Sequence, residues 1–118
     1  DLNLARYGLQ GSGSSNTSAL AIGGTSPLTG ATETWNGSSW TEVNDLNTAR
    51  GGANAVGTQT AALLPGGSTP PTYTAVTESW NGTNWTEVND LNTARAGGAG
   101  GTQLEILYKV VDHLTLQL

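Results

Sequence analysis

Cysteine, methionine and phenylalanine are absent from the 118 residues, and histidine occurs once, at His113. Without Cys there is no disulfide framework, no thiol nucleophile and no thiolate metal site, so stability must come from packing and pairing alone and the redox compartment cannot be read. One imidazole leaves no material for a Ser-His-Asp triad or a His-rich metal centre. Positive charge is also scarce: Arg6, Arg50, Arg95 and Lys109 lie far apart against nine acidic residues, for a net charge of −5. A nucleic-acid groove or an anionic membrane surface calls for clustered Lys and Arg, so neither is expected as a partner. The longest apolar-rich stretch, Leu104 to Leu118, is broken by Glu105, Lys109, Asp112 and His113, which excludes a spanning helix of about 20 apolar residues. No basic and apolar leader opens the sequence, and the expectation is a soluble protein with no visible signal peptide.

What is present is glycine, at 17 positions, and four Trp, which concentrate apolar area in few residues. The chain also repeats itself. Ala31 to Arg50 returns almost unchanged as Val76 to Arg95, a displacement of 45 residues, and Asp1-Leu-Asn-Leu-Ala-Arg6 is a third, partial copy 44 residues before Asp45 to Arg50. A looser segment recurs as well, with Ala19 to Gly24 answered by Ala61 to Gly67. Periods of 20 to 50 residues mark stacked supersecondary units.

Within a unit, no window before Leu104 shows the 3.6-residue apolar spacing of a helix, Gly interrupts almost every candidate, and the apolar residues fall into short runs. The first unit has strand-like runs at Ala5 to Gly11, Ser18 to Ile22, Ala31 to Trp35 and Trp40 to Val43. The second has Thr48 to Val56, Thr60 to Leu64, Ala75 to Trp80 and Trp85 to Val88. Pro65 lacks an N–H, so its strand is expected to end or bulge there. Asn36-Gly37 and Asn81-Gly82 are hairpin signals. A two-residue loop would set Trp40 opposite Glu33, and a loop from Asn36 to Ser39 would set it opposite Trp35. Strand parity places both indoles on one face in either case. A sheet of otherwise small residues cannot cover two indoles by itself, so each pair requires a neighbouring sheet.

The fold expected from this is all-β: four-stranded antiparallel blades of a β-propeller, about two per chain, with the small residues of Ala49 to Ala55 and Ala94 to Gly101 near a crowded axis. The residues resemble a kelch repeat, across roughly positions 1 to 103. The pattern is an apolar strand closing in Gly-Gly, an aromatic before a turn, a Trp a few residues on, and an Arg starting the next inner strand. Its elements here are Gly23, Gly24, Trp35, Trp40 and Arg50, then Gly66, Gly67, Trp80, Trp85 and Arg95. Trp stands where the family usually has Tyr, and the turn between the aromatics is shortened.

The resulting division is a first blade over 1–44, a second over 45–89, an inner strand of a further partial blade over 90–103, and a non-repeat tail over 104–118. The tail alternates as a strand does, although Leu107, Val110, Val111, Leu114 and Leu118 also fit a helical stripe; β-branched content favours strand. Propellers close with four to eight blades. Self-association is therefore expected, with six blades favoured: a trimer, or a dimer if the tail supplies inner strands of a third blade.

Chemistry is sparse. Asp45 and Asp90 are read as turn residues before calcium ligands. Glu33, Glu78, Glu42 and Glu87 recur as repeat positions, so pairing with Arg50 and Arg95, or facing water, is preferred to glycosidase chemistry. The sequons at Asn16, Asn36, Asn81 and Asn84 are subordinate to turn roles at Asn36 and Asn81. Gly97 to Gly101 lacks the Lys-Ser/Thr of a phosphate loop. No cofactor, metal or enzymatic activity is expected. The kelch resemblance implies a scaffold or protein-interaction module; the alternative is a multivalent, lectin-like carbohydrate binder whose Trp residues stack on sugars.

Overall fold

The computed structural model describes residues 1–96. The tail over 104–118, and the part of the expected further strand beyond Ala96, lie outside them. Eight strands follow one another: β1 (Gln10–Ser15), β2 (Ser18–Thr25), β3 (Leu28–Trp35), β4 (Trp40–Val43), β5 (Val56–Gly57), β6 (Ala62–Thr69), β7 (Thr72–Trp80) and β8 (Trp85–Val88). They form two four-stranded antiparallel meanders, β1-β2-β3-β4 and β5-β6-β7-β8, called here sheet 1 and sheet 2. Among the described residues there is no helix, hence none long and apolar enough to cross a membrane.

In the outer hairpin of each sheet β4 and β8 have the bounds expected, while β3 and β7 end at the expected Trp35 and Trp80 but begin three residues before Ala31 and Ala75. The inner strands differ. The first runs over Gln10–Ser15 and not Ala5 to Gly11, and the Thr48 to Val56 run contains only the start of a two-residue strand. The Gly- and Ala-rich stretch before β5 uses its backbone elsewhere: Gly51 exchanges hydrogen bonds with Ser68, and the Gly52 N–H donates to the Gly8 carbonyl at 2.9 Å. A glycine-rich segment has little side-chain packing to hold it in a ladder, so its path follows the neighbouring backbone.

Both Gly-Gly pairs lie inside long strands instead of closing them. The register slips between Ile22 and Gly24 and between Pro65 and Gly67, so each second strand bulges and continues. Gly23 and Gly66 carry the bulge at φ +65° and +70°, a left-handed conformation that costs glycine little. Pro65 therefore bends its strand without ending it.

One core lies between the sheets. Sheet 1 contributes Leu20 and Ile22, the connector after β4 contributes Leu46 and Ala53, and sheet 2 contributes Ala62, Leu64, Trp80 and Trp85. Leu20 and Ile22 stand opposite Thr34 and Thr32 in β3, so all four share the face turned toward sheet 2. Sheet 2 answers with its opposite face, the one bearing both indoles.

Candidate functional site

The repeated hairpin sets the geometry of that indole face. Trp35 pairs directly with Trp40, and Trp80 with Trp85, so the loop has four residues and the two-residue primed turn is not formed. The Asn36 side-chain oxygen accepts the N–H groups of Ser38 and Ser39, both at 2.9 Å, and Asn81 does the same for Thr83 and Asn84. This Asx arrangement satisfies the loop amides locally and requires positive φ only at Gly37 and Gly82. The indoles are tilted by 44° at 5.3 Å in sheet 1 and by 42° at 5.2 Å in sheet 2, an arrangement that gains beyond simple area burial.

The two pairs differ in surroundings. Trp80 and Trp85 are 0% and 5% exposed against sheet 1, where the Trp85 indole N–H donates to the Thr32 hydroxyl at 3.1 Å. Trp35 and Trp40 are only half-buried. The rim of the filled interface is polar: Asn44 Nδ2 lies 2.7 Å from both the Thr83 carbonyl and Asn84 Oδ1. At the other end Gln59 Nε2 donates to the Trp35 carbonyl at 2.7 Å, and Ser18 Oγ donates to Gln59 Oε1 at 2.9 Å.

A polar latch occupies the same indole face. Glu33 lies two residues before Trp35 and Glu78 two before Trp80; both are fully buried. Glu33 accepts the Asn3 N–H at 2.7 Å, the Leu4 N–H at 3.4 Å and Arg6 Nη1 at 2.7 Å. Glu78 accepts the Asn47 N–H at 2.8 Å, Asn47 Nδ2 at 3.1 Å and the Thr48 N–H at 3.2 Å, with Arg50 Nη1 at 3.2 Å. The Arg50 contact is an ion pair by distance only, because no Nη1 proton is directed at the carboxylate. Asn3 and Asn47 also clamp the hairpins through the Trp40 and Trp85 carbonyls, at 3.1 and 3.0 Å.

Burial raises the cost of charge on Glu33, but the Arg6 guanidinium and the Asn3 and Leu4 amides outweigh it and hold the carboxyl below its ordinary range. Burial likewise pulls the Arg50 guanidinium down, against the opposing field of Glu78, Glu87 and Asp90.

The Arg–Glu pairing anticipated from the sequence exists, one repeat out of step for the first glutamate. Glu33 takes Arg6 and not Arg50; Arg50 belongs to Glu78. Each connector therefore serves the sheet that follows it. Arg50 does not open a strand either: its carbonyl accepts from Gly24 of sheet 1 at 3.0 Å while its guanidinium reaches the Leu64 carbonyl of sheet 2 at 2.9 Å. Arg95 repeats the backbone half of this, accepting from Gly67 at 2.9 Å. Glu42, Glu87, Asp45 and Asp90 are exposed, and among the described residues no three acidic or His side chains gather as metal ligands. Asn3, Asn47, Thr32 and Gln59 were not singled out by sequence reasoning. The recurrence of Asp-Leu-Asn was the available signal for the first two.

No family model matches the chain, and no curated protein matches it. Among solved structures, the chain is similar to the structure of YjhT, with a TM-score of 0.66 at 12% identity, over 81% of this chain and 30% of that one. The chain thus spans less than a third of that structure's length, and at this identity the likeness is one of fold.

Proposed function

We propose that the chain is a non-enzymatic, kelch-like β-propeller module that completes its ring with further copies of itself and serves as a scaffold or protein-interaction module. Each sheet is one blade in this reading, and the connector with its Asn and Arg is the joint between blades. The supporting observation is the contrast between two nearly identical indole pairs, one sealed against a neighbouring sheet and the other half-buried. Soluble proteins seldom leave a contiguous apolar face open unless it meets a partner. The test is native mass spectrometry across concentration: multiples of the 12.0 kDa chain, a trimer or a dimer, support the reading, and a monomer throughout rejects it.

The same half-buried pair favours a second reading, a lectin-like site in which Trp35 and Trp40 stack on a sugar ring. Sugar-dependent quenching of Trp fluorescence, lost in Trp40→Ala, would support it, and silence across a glycan array would reject it.

A further inference from the structure

The contact between sheet 1 and sheet 2 joins two different faces of one repeating unit. Sheet 1 offers a receiving face built on Leu20, Thr32 and Leu46; sheet 2 offers the indoles of Trp80 and Trp85. By the repeat, sheet 2 carries a second receiving face at Leu63, Thr77 and Leu91, and sheet 1 carries a second indole face at Trp35 and Trp40. Resting on the self-assembly reading above, we propose that copies of this chain join head to tail, the Trp35–Trp40 face of one seating on the Leu63–Thr77–Leu91 face of the next.

The polar groups of the internal interface have counterparts for this contact. Thr32 donates its hydroxyl proton to the Gly30 carbonyl at 3.3 Å while accepting from Trp85. Thr77 donates to the Ala75 carbonyl at the same 3.3 Å, which leaves its oxygen lone pairs for the Trp40 indole N–H of a second copy. On the rim, Asn89 holds the place of Asn44, and Ser38 and Ser39 hold the places of Thr83 and Asn84. By the repeat, an indole face carrying one N–H donor at Trp40 is thus matched by an apolar floor carrying one hydroxyl acceptor at Thr77.

Two features make this contact weaker than the internal one. Leu63, Thr77 and Leu91 are 2%, 0% and 4% exposed within the single chain, so docking gains little fresh burial from them. Tyr7 is the second. Its counterpart in the internal interface is Gly51, where an added Cβ would collide with the Gly8 carbonyl and stand 2.7 Å from the Gly24 carbonyl carbon. Tyr7, 70% exposed, puts a side chain at the place where the internal joint tolerates none, and props open that edge of the contact. A heterologous contact of this kind closes into a ring or runs on as a chain, according to its rotation.

The experiment uses the full chain and measures mass by light scattering and native mass spectrometry. Trp40→Arg disables the indole face and Asn89→Arg the receiving face. Each variant should be monomeric at concentrations where the parent is assembled. Mixed together they should form a one-to-one dimer of about twice the 12.0 kDa chain mass and nothing larger, because each copy keeps one working face. Ser39→Arg, at an exposed loop position, checks the indole face without disturbing the hairpin. Tyr7→Gly should tighten assembly by about tenfold in dissociation constant. If the parent assembles but the variants assemble equally well, or the mixture stays monomeric, the face assignment is overturned while self-assembly stands. If the parent is monomeric at every concentration, both fall.

Discussion

The indole N–H of Trp85 and the hydroxyl of Thr32 meet 3.1 Å apart across the two sheets, and both residues are buried. This hydrogen bond orients the second indole pair on the first sheet. Thr32→Val keeps the shape and removes the acceptor, leaving a buried donor unsatisfied at a cost of about 1–3 kcal/mol. Thr32→Ser should retain most of the stability. Urea denaturation of the three proteins, read as midpoints at equal slope, checks the ordering.

The two Trp pairs give an internal control for burial. Trp80 is fully buried, so Trp80→Ala should cost about 3–5 kcal/mol through lost transfer energy and a residual cavity. Trp35→Ala removes the same ring from a half-buried site and should cost distinctly less. Equal losses, measured by denaturant unfolding at low protein concentration, would mean that the first pair is covered in solution as fully as the second.

Much of this architecture was legible beforehand. The 45-residue displacement identifies two equivalent units, and strand parity puts Trp35 with Trp40 on one face for a loop of two residues or of four. The need of those indoles for a neighbouring sheet follows from their area, and Trp80 and Trp85 meet it. The bounds of β1 and β5 were not legible: Tyr7 before β1 spends its N–H on Ser26, and the Gly- and Ala-rich stretch before β5 spends the N–H groups of Gly51 and Gly52 on Ser68 and Gly8, so neither segment runs in the ladder its composition suggests. The Glu33–Arg6 pairing escaped for a related reason. A repeat read from sequence has no marked beginning, and only the fold decides that Asp1 to Arg6 caps the sheet after it.

Gly51 tests how closely the sheets approach. A Cβ there would collide with the Gly8 carbonyl and lie 2.7 Å from the Thr25 methyl carbon, neither of which is the free end of a flexible side chain. Gly51→Ala should therefore destabilise through backbone displacement, by about 1–3 kcal/mol as overpacking typically does. Gly52→Ala offers a contrast of a different kind: its added Cβ would have room, 3.5 Å from the Ser68 Cβ, but its φ of +63° strains any L side chain. Thermal unfolding should find both variants less stable, and amide exchange should find protection lost across the sheet junction in Gly51→Ala and only locally in Gly52→Ala.

Acid should loosen the first latch. The Glu33 carboxyl is held below its ordinary value in the folded chain, so the unfolded chain binds the proton more readily. Its contribution to stability is complete above the unfolded pKa of about 4.3 and is lost as pH falls through that value toward the folded one. Protonation also leaves the Arg6 guanidinium beside a neutral acid, with the Asn3 and Leu4 amides facing a weaker acceptor. Glu33→Gln should cost stability at neutral pH, where breaking a buried pair by removing one partner typically costs about 3–5 kcal/mol. It should also reduce the steepness with which stability declines between pH 5 and pH 3, values set by the range over which such a carboxyl titrates. Urea melts of parent and variant across that interval read both effects, and a parent whose decline matches the variant's would show that Glu33 gains nothing from Arg6 when charged.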